Sequence, residues 1–96
     1  MHVIFVRDKT GRLIYMSKER YCHILKHPEM QNKMEEIKET LQNPLKITSY
    51  AFDGQIKYYH KHCKLKKSKA RYLRVIVKYL NGTGFIVTSY LMGRIK

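Results

Sequence analysis

The apolar and polar positions of this chain fall into eight short patterned stretches. "HVIFVRD" and "GRLIYMS" are β-type runs joined by "DKTG", a turn signal, and predict an N-terminal hairpin. Ser17 offers an N-cap, with Glu19 in the first turn where the helix dipole favours an anion. Tyr21, Ile24 and Leu25 then share one helical face. His27 precedes Pro28, so the first helix stops there, and Pro28 suits the first position of a second helix that His27 caps. Met30, Met34, Ile37 and Leu41 form its apolar stripe, Glu29, Glu35, Glu36 and Glu39 lie off it, and "QNP" ends it. "LKITSYAF", a "DG" turn and "QIKYYHKHC" read as a second hairpin. After the basic stretch "KLKKSKAR", "YLRVIVKYL", "NGTG" and "FIVTSYLM" give the strongest hairpin signal of the chain. The order predicts an α+β domain: an N-terminal β-hairpin and two helices packed on a four-stranded antiparallel sheet. The stripe of the second helix would cover one face of the sheet and leave the other open.

Ninety-six residues make a single domain, 1–96, with a modest core. No apolar run is long enough to span a bilayer, and the first residues lack the charged lead-in and cleavage site of a signal peptide. Cys22 and Cys63 are too thin a framework for a small secreted chain, so reduced thiols and a cytoplasmic address are expected.

Charge changes the picture most. The net charge is +13, and it is one-sided: residues 1–44 hold eight Lys/Arg against six acids, residues 45–96 twelve against Asp53 alone. Such a field concentrates polyanions, nucleic acid or an anionic surface. Within it, "QIKYYHKHCKLKKSKAR" interleaves Tyr58, Tyr59, His60 and His62 with Lys57, Lys61, Lys64, Lys66, Lys67, Lys69 and Arg71. Rings that stack on unpaired bases between cations that hold phosphates are the usual arrangement for single strands, and Lys57, Tyr59, His60 and Arg71 are expected to touch RNA. Five phosphate contacts would give a salt slope of about −3.5, so a fourfold rise in salt would weaken binding roughly a hundredfold.

"HILKHPEM" places two imidazoles four residues apart. They lie roughly opposite the Tyr21/Ile24/Leu25 seam, which argues against core filling and leaves a surface role, a metal site or acid–base work. His60, His62 and Cys63 could complete a zinc site, but "HKHC" lacks paired CxxC spacing, and so cationic a half is a poor place for a divalent ion; no metal and no cofactor are expected. Cleaving RNA through its 2′-hydroxyl needs a base, an acid and donors for the phosphorane, and His, Arg, Lys, Thr and Tyr supply all of these. In the last hairpin Arg74, Ile76 and Lys78 share a side, as do Ile86, Thr88 and Tyr90, with Ser89 on the other. A two- or four-residue loop at "NGTG" puts Arg74 with Ser89; an odd loop or a bulge puts it with Thr88.

With "HILKHPEM" early, "LQNP" closing the helix and "YLRVIVKYL…GFIVTSY" late, the chain resembles the BECR-fold nucleases, the superfamily of barnase, EndoU, colicin tRNases and RelE, and within it the small phage-associated nuclease domains. The resemblance implies a RelE/barnase-like fold and a metal-independent endoribonuclease, a toxin that leaves 2′,3′-cyclic phosphate ends. It implies His23 as general base or acid, Thr88 and Tyr90 at the phosphate, Arg74 and Lys78 as neutralising cations, and an acidic antitoxin or immunity protein as partner. The alternative class is a non-catalytic RNA-binding module, ribosome-associated, using the same basic face. No membrane partner is expected.

Overall fold

A computed structural model describes residues 2–63 and 72–93, with side chains from residue 5 onward. Arg71 and Lys64, Lys66, Lys67 and Lys69 lie outside the described residues.

The chain forms β1 (His2–Arg7), β2 (Leu13–Ser17), α1 (Lys18–Ile24), a single 3₁₀ turn (Pro28–Met30), α2 (Met34–Gln42), β3 (Lys46–Tyr50), β4 (Asp53–His62), β5 (Tyr72–Leu80) and β6 (Thr83–Met92). The α+β class stands, with two helices on a sheet. The four-stranded count does not: the sheet has six strands in the order β1-β2-β6-β5-β4-β3, and it is mixed. The N-terminal hairpin joins the other strands through β2, which pairs in parallel with β6 at Ile14/Gly84 and Tyr15/Phe85. Gly84 makes that join possible. A Cβ there would stand 2.9 Å from the side chains of Tyr79 and Val77 and 3.0 Å from Ile14. A hairpin alone buries too little to persist in water, and this pairing gives Ile14 and Met16 a core to enter.

Ser17 caps α1 as expected, its Oγ accepting from the Arg20 amide at 3.1 Å. The second helix differs. Pro28 starts only one 3₁₀ turn, Asn32 takes φ +61°, and α2 begins at Met34. Asn tolerates that left-handed backbone better than other non-glycine residues. His27 holds the position before the 3₁₀ turn but makes no side-chain cap. The apolar stripe survives the break: Met30, Ile37 and Leu41 are buried and Met34 packs against them. Their partners on the sheet are Val6, Ile14, Met16, Tyr59, Leu73, Val75, Val77, Tyr79 and Ile86. Truncating any one of these aliphatic side chains to alanine should cost about 2–5 kcal/mol.

The β3–β4 turn falls at Ala51–Phe52, two residues before the predicted Asp-Gly pair. The β5–β6 turn is Asn81–Gly82, with φ +54° and +79°, the double positive φ of a two-residue hairpin turn. No helix of the described residues is long and apolar enough to cross a membrane. Cys22 and Cys63 are free thiols.

Candidate nucleic-acid interface

One irregularity decides which side chains share the open face. After the two-residue turn, β5 and β6 pair as Leu80/Thr83, Tyr79/Gly84, Lys78/Phe85 and Val77/Ile86. The next pair is Ile76/Thr88, so Val87 is an extra residue on β6. The strand then continues as Val75/Ser89 and Arg74/Tyr90. A regular two-residue hairpin would have set Arg74 beside Ser89. The bulge instead brings Arg74, Thr88 and Tyr90 to one face and sends Ser89 to the core side, where its hydroxyl donates to the Arg74 carbonyl at 2.8 Å. Of the two alternatives the sequence left open, the bulge selects the second.

Alternation then fixes the rest of this face, the one without helices. It carries Ile56, Tyr58, His60 and His62 from β4, Lys46 and Thr48 from β3, Phe85 from β6, Tyr15 from β2 and Phe5 from β1. Arg74 is its hub. Its Nε donates to His60 Nε2 at 3.0 Å and its Nη1 to the Tyr90 hydroxyl at 2.8 Å. The guanidinium carbon lies 4.8 Å from the centre of the Tyr58 ring. Among the described residues, three of the five guanidinium hydrogens remain for a phosphate. Tyr90, accepting from Arg74, keeps its own hydroxyl hydrogen to give.

His60 is fully buried, unlike the base-stacking ring the sequence suggested. Since Nε2 accepts from Arg74, the imidazole is neutral with its proton on Nδ1, which has no hydrogen-bond partner among the described residues. Burial first, and then the Arg74 charge, hold its pKa below the ordinary histidine value; the Lys46 backbone pulls weakly the other way. His60 therefore serves as a neutral rest for Arg74, locking the cation in one orientation.

Tyr59 is a correction. It points to the helix side, is 1% exposed and cannot meet a base. With Tyr79 it surrounds Asp8. The Tyr79 hydroxyl donates to Asp8 Oδ2 at 2.7 Å, and the Tyr59 hydroxyl reaches the same oxygen at 3.3 Å. Thr10 and Arg12 close over the other oxygen. Burial would raise the carboxyl pKa, but these hydrogen bonds outweigh it and the net shift is downward. Desolvation and the Asp8 charge push both phenols up. Sequence reading saw Asp8 only as part of a turn, because nothing local says that two tyrosines more than fifty residues away will meet it.

Lys57 also lies on the helix side, bonded to Ser49 Oγ at 2.7 Å. Lys78 is on the open face but reaches Asp53 at 3.6 Å. Lys61, on the helix side, pairs with Glu39 at 3.1 Å. These positions follow a simple division of charge across the sheet. All five glutamates, Glu19, Glu29, Glu35, Glu36 and Glu39, belong to α1, the 3₁₀ turn and α2. The acid beside the open face is Asp53, engaged by Lys78.

His23 sits in the last turn of α1, exposed, beside Glu19, Arg20, Cys22 and Lys26. Its side chain has no hydrogen bond or ion pair among the described residues, and the structure does not bring it into contact with Arg74, Thr88 or Tyr90. Its helix packs on the core side of the sheet through Ile24, whereas the Arg74 hub stands on the helix-free face. β2 ends at Ser17, while β6 runs on to Met92, and α1 and the Pro28–Met30 turn pack against β6. His27 Nδ1 lies 3.9 Å from Glu29 Oε1. Among the described residues no three His, Cys, Asp or Glu side chains converge as a metal site.

One further feature went unread in the sequence. Phe5, Tyr15 and Phe85 stand side by side across β1, β2 and β6. The Tyr15 and Phe85 rings are stacked at 5.8 Å, and Phe5 meets Tyr15 edge-on at 5.1 Å. The signal was available as phase: in each run the ring occupies the position out of step with the buried Val6, Ile14, Met16 and Ile86. Comparison of the chain with family models, with curated proteins and with solved structures gave no match.

Proposed function

We propose that this domain is an endoribonuclease that needs no metal, working on the helix-free face of its sheet. The observation that carries the reading is the Arg74 hub: a cation held by His60 and Tyr90, on a face cleared of glutamates, beside the Thr88 hydroxyl. In the reaction the RNA 2′-oxygen attacks the adjacent phosphorus and gives its proton to a base. The bond to the 5′-oxygen breaks, that oxygen takes a proton, and a 2′,3′-cyclic phosphate remains. Arg74 neutralises the phosphorane with its free hydrogens, and Tyr90 and Thr88 donate to its oxygens. His23 is the proton carrier the reading assigns, since imidazole changes charge near working pH. The resemblance to toxin nucleases extends the proposal to a toxin restrained by an acidic antitoxin or immunity protein, whose charge suits the same face, and to the cytoplasm as its place of action.

A second reading, a non-catalytic RNA-binding module, ribosome-associated, is favoured by one observation: His23 has no contact with the Arg74 hub. End-labelled RNA incubated with the protein in EDTA separates the two. The nuclease cuts and leaves cyclic ends; His23→Ala stops cutting and spares binding, and Arg74→Ala weakens both. Retention without any cut gives the binding module. Cutting unaffected by His23→Ala removes His23 from the mechanism.

A further inference from the structure

We propose that the Phe5–Tyr15–Phe85 row is a stacking site for unpaired bases, so that this face takes single-stranded RNA and rejects duplex. The inference rests on the RNA reading of the same face and adds its substrate class.

The row has three properties of such a site. The first is exposure where the fold gives no reason for it: Phe5 is 58% and Phe85 41% exposed, although strand alternation has already filled the core from the other side. The second is geometry. Phe85 has Tyr15 against one side, with their planes 29° apart. On its other side the neighbouring strand presents Lys78, whose ammonium is drawn to Asp53. A base entering there lengthens an existing stack by one ring, and such stacking tolerates every base because each has a π face. The third is position. Lys78 lies opposite Phe85 and is four residues along β5 from Arg74, about 13 Å at the usual strand rise. One extended strand can place a phosphate on Arg74 and a nearby base on Phe85. Duplex RNA cannot, because its bases are already stacked on one another and its grooves expose edges, not faces.

Charge selects RNA over a second copy of this chain as the occupant. Each copy carries +13, and the face holds Arg7, Arg74, Lys46 and Lys78 against Asp53 alone among the described residues. Two such faces repel, whereas a phosphate chain is attracted.

The test uses the full chain and a 2′-O-methyl oligonucleotide carrying 2-aminopurine, which cannot form the cyclic phosphate and so is bound without being cut. The single strand should bind at least tenfold more tightly than the same sequence annealed to its complement, with 2-aminopurine fluorescence quenched. Phe85→Ala should weaken the single strand about tenfold and relieve the quench, Phe85→Trp should restore both, and duplex binding should not move. Circular dichroism of each variant confirms the fold. If Arg74→Ala weakens the single strand and Phe85→Ala does not, the stacking site is refuted while the RNA face stands. If neither strand nor duplex binds the wild-type protein, the RNA reading itself falls. If Phe85→Ala converts a dimer to a monomer in sedimentation with RNA affinity unchanged, the row is a contact between copies and the proposal is overturned.

Discussion

Replacing Asp8 tests the packing logic of the whole fold. Its carboxylate is buried at the end of β1 and accepts hydrogen bonds from the Thr10 amide at 2.8 Å, the Thr10 hydroxyl at 2.6 Å, the Arg12 amide at 3.0 Å and the Tyr79 hydroxyl at 2.7 Å. Arg12 Nε lies 3.3 Å away, and the Arg12 guanidinium covers the Tyr79 ring at 3.8 Å. Asp8→Ala removes the acceptor for all of them at once. Breaking a buried, hydrogen-bonded charge in this way costs about 3–5 kcal/mol, because its partners lose the group they were desolvated against. A domain of this size has a total stability of roughly 5–15 kcal/mol, so the variant should lose about a fifth or more of it. At about 4–8 °C per kcal/mol, the melting temperature should fall by about 12–40 °C. Tyr79→Phe removes the bond to the Asp8 carboxylate and the one shared with the Tyr59 hydroxyl, and should cost about 1.5–3 kcal/mol. Tyr59→Phe removes the bond shared with the Tyr79 hydroxyl and a long contact to Asp8, and should cost about 0.5–1.5 kcal/mol. Urea unfolding followed by circular dichroism measures all three. The order Asp8→Ala, Tyr79→Phe, Tyr59→Phe is the claim. A cost below about 1 kcal/mol for Asp8→Ala would refute it, because the carboxylate would then be a bystander in a turn. Acid gives an independent check. The folded pKa is depressed, so the contribution is complete above the unfolded value near 3.9 and is lost as pH falls through the lower folded value.

Three other outcomes follow. Arg74→Lys keeps the charge but loses the fork that spans His60 and Tyr90, and cleavage in EDTA should drop about a hundredfold or more; near-wild-type turnover would show that charge alone suffices. His60 has a lowered folded pKa, so the unfolded chain binds the proton more readily; stability should be full above about 6.5 and decline as pH falls from there toward the folded value, a slope that His60→Gln should remove from urea titrations. Gly84→Ala sets a methyl 2.9 Å from Tyr79 and Val77 and should cost about 1–3 kcal/mol, read as a lower urea midpoint; an unchanged midpoint would mean that the β2–β6 join is looser than it looks.

Much of the molecule was legible because it rests on short-range physics. Alternation, caps and turn residues act within a few positions, so the first helix, the Ser17 cap, the hairpin turn within Asn-Gly-Thr-Gly and the apolar stripe from Met30 to Leu41 could be read from neighbours alone. The one-sided charge was equally plain, and so was the presence of cations and rings in the second half. The local reading erred where one residue changes phase. Asn32 broke a helix that periodicity ran straight through. Tyr59 and His60 were assigned to RNA by composition, but on a strand neighbours face opposite ways, and burial on both sides of β4 left neither ring free to stack.

Tertiary structure alone decided the sheet and the hub. Strand order depends on which edges meet across the chain, so the sequence could not show that the N-terminal hairpin would close onto β6 beside Gly84 and line up Phe5, Tyr15 and Phe85. Whether Arg74 met Ser89 or Tyr90 turned on one extra residue, Val87, because side chains repeat every two positions and a single bulge reverses every face beyond it. Composition and pattern thus determined what kinds of groups the protein has, while long-range pairing determined which of them stand together, since no local force records a contact that the chain makes only after it has folded.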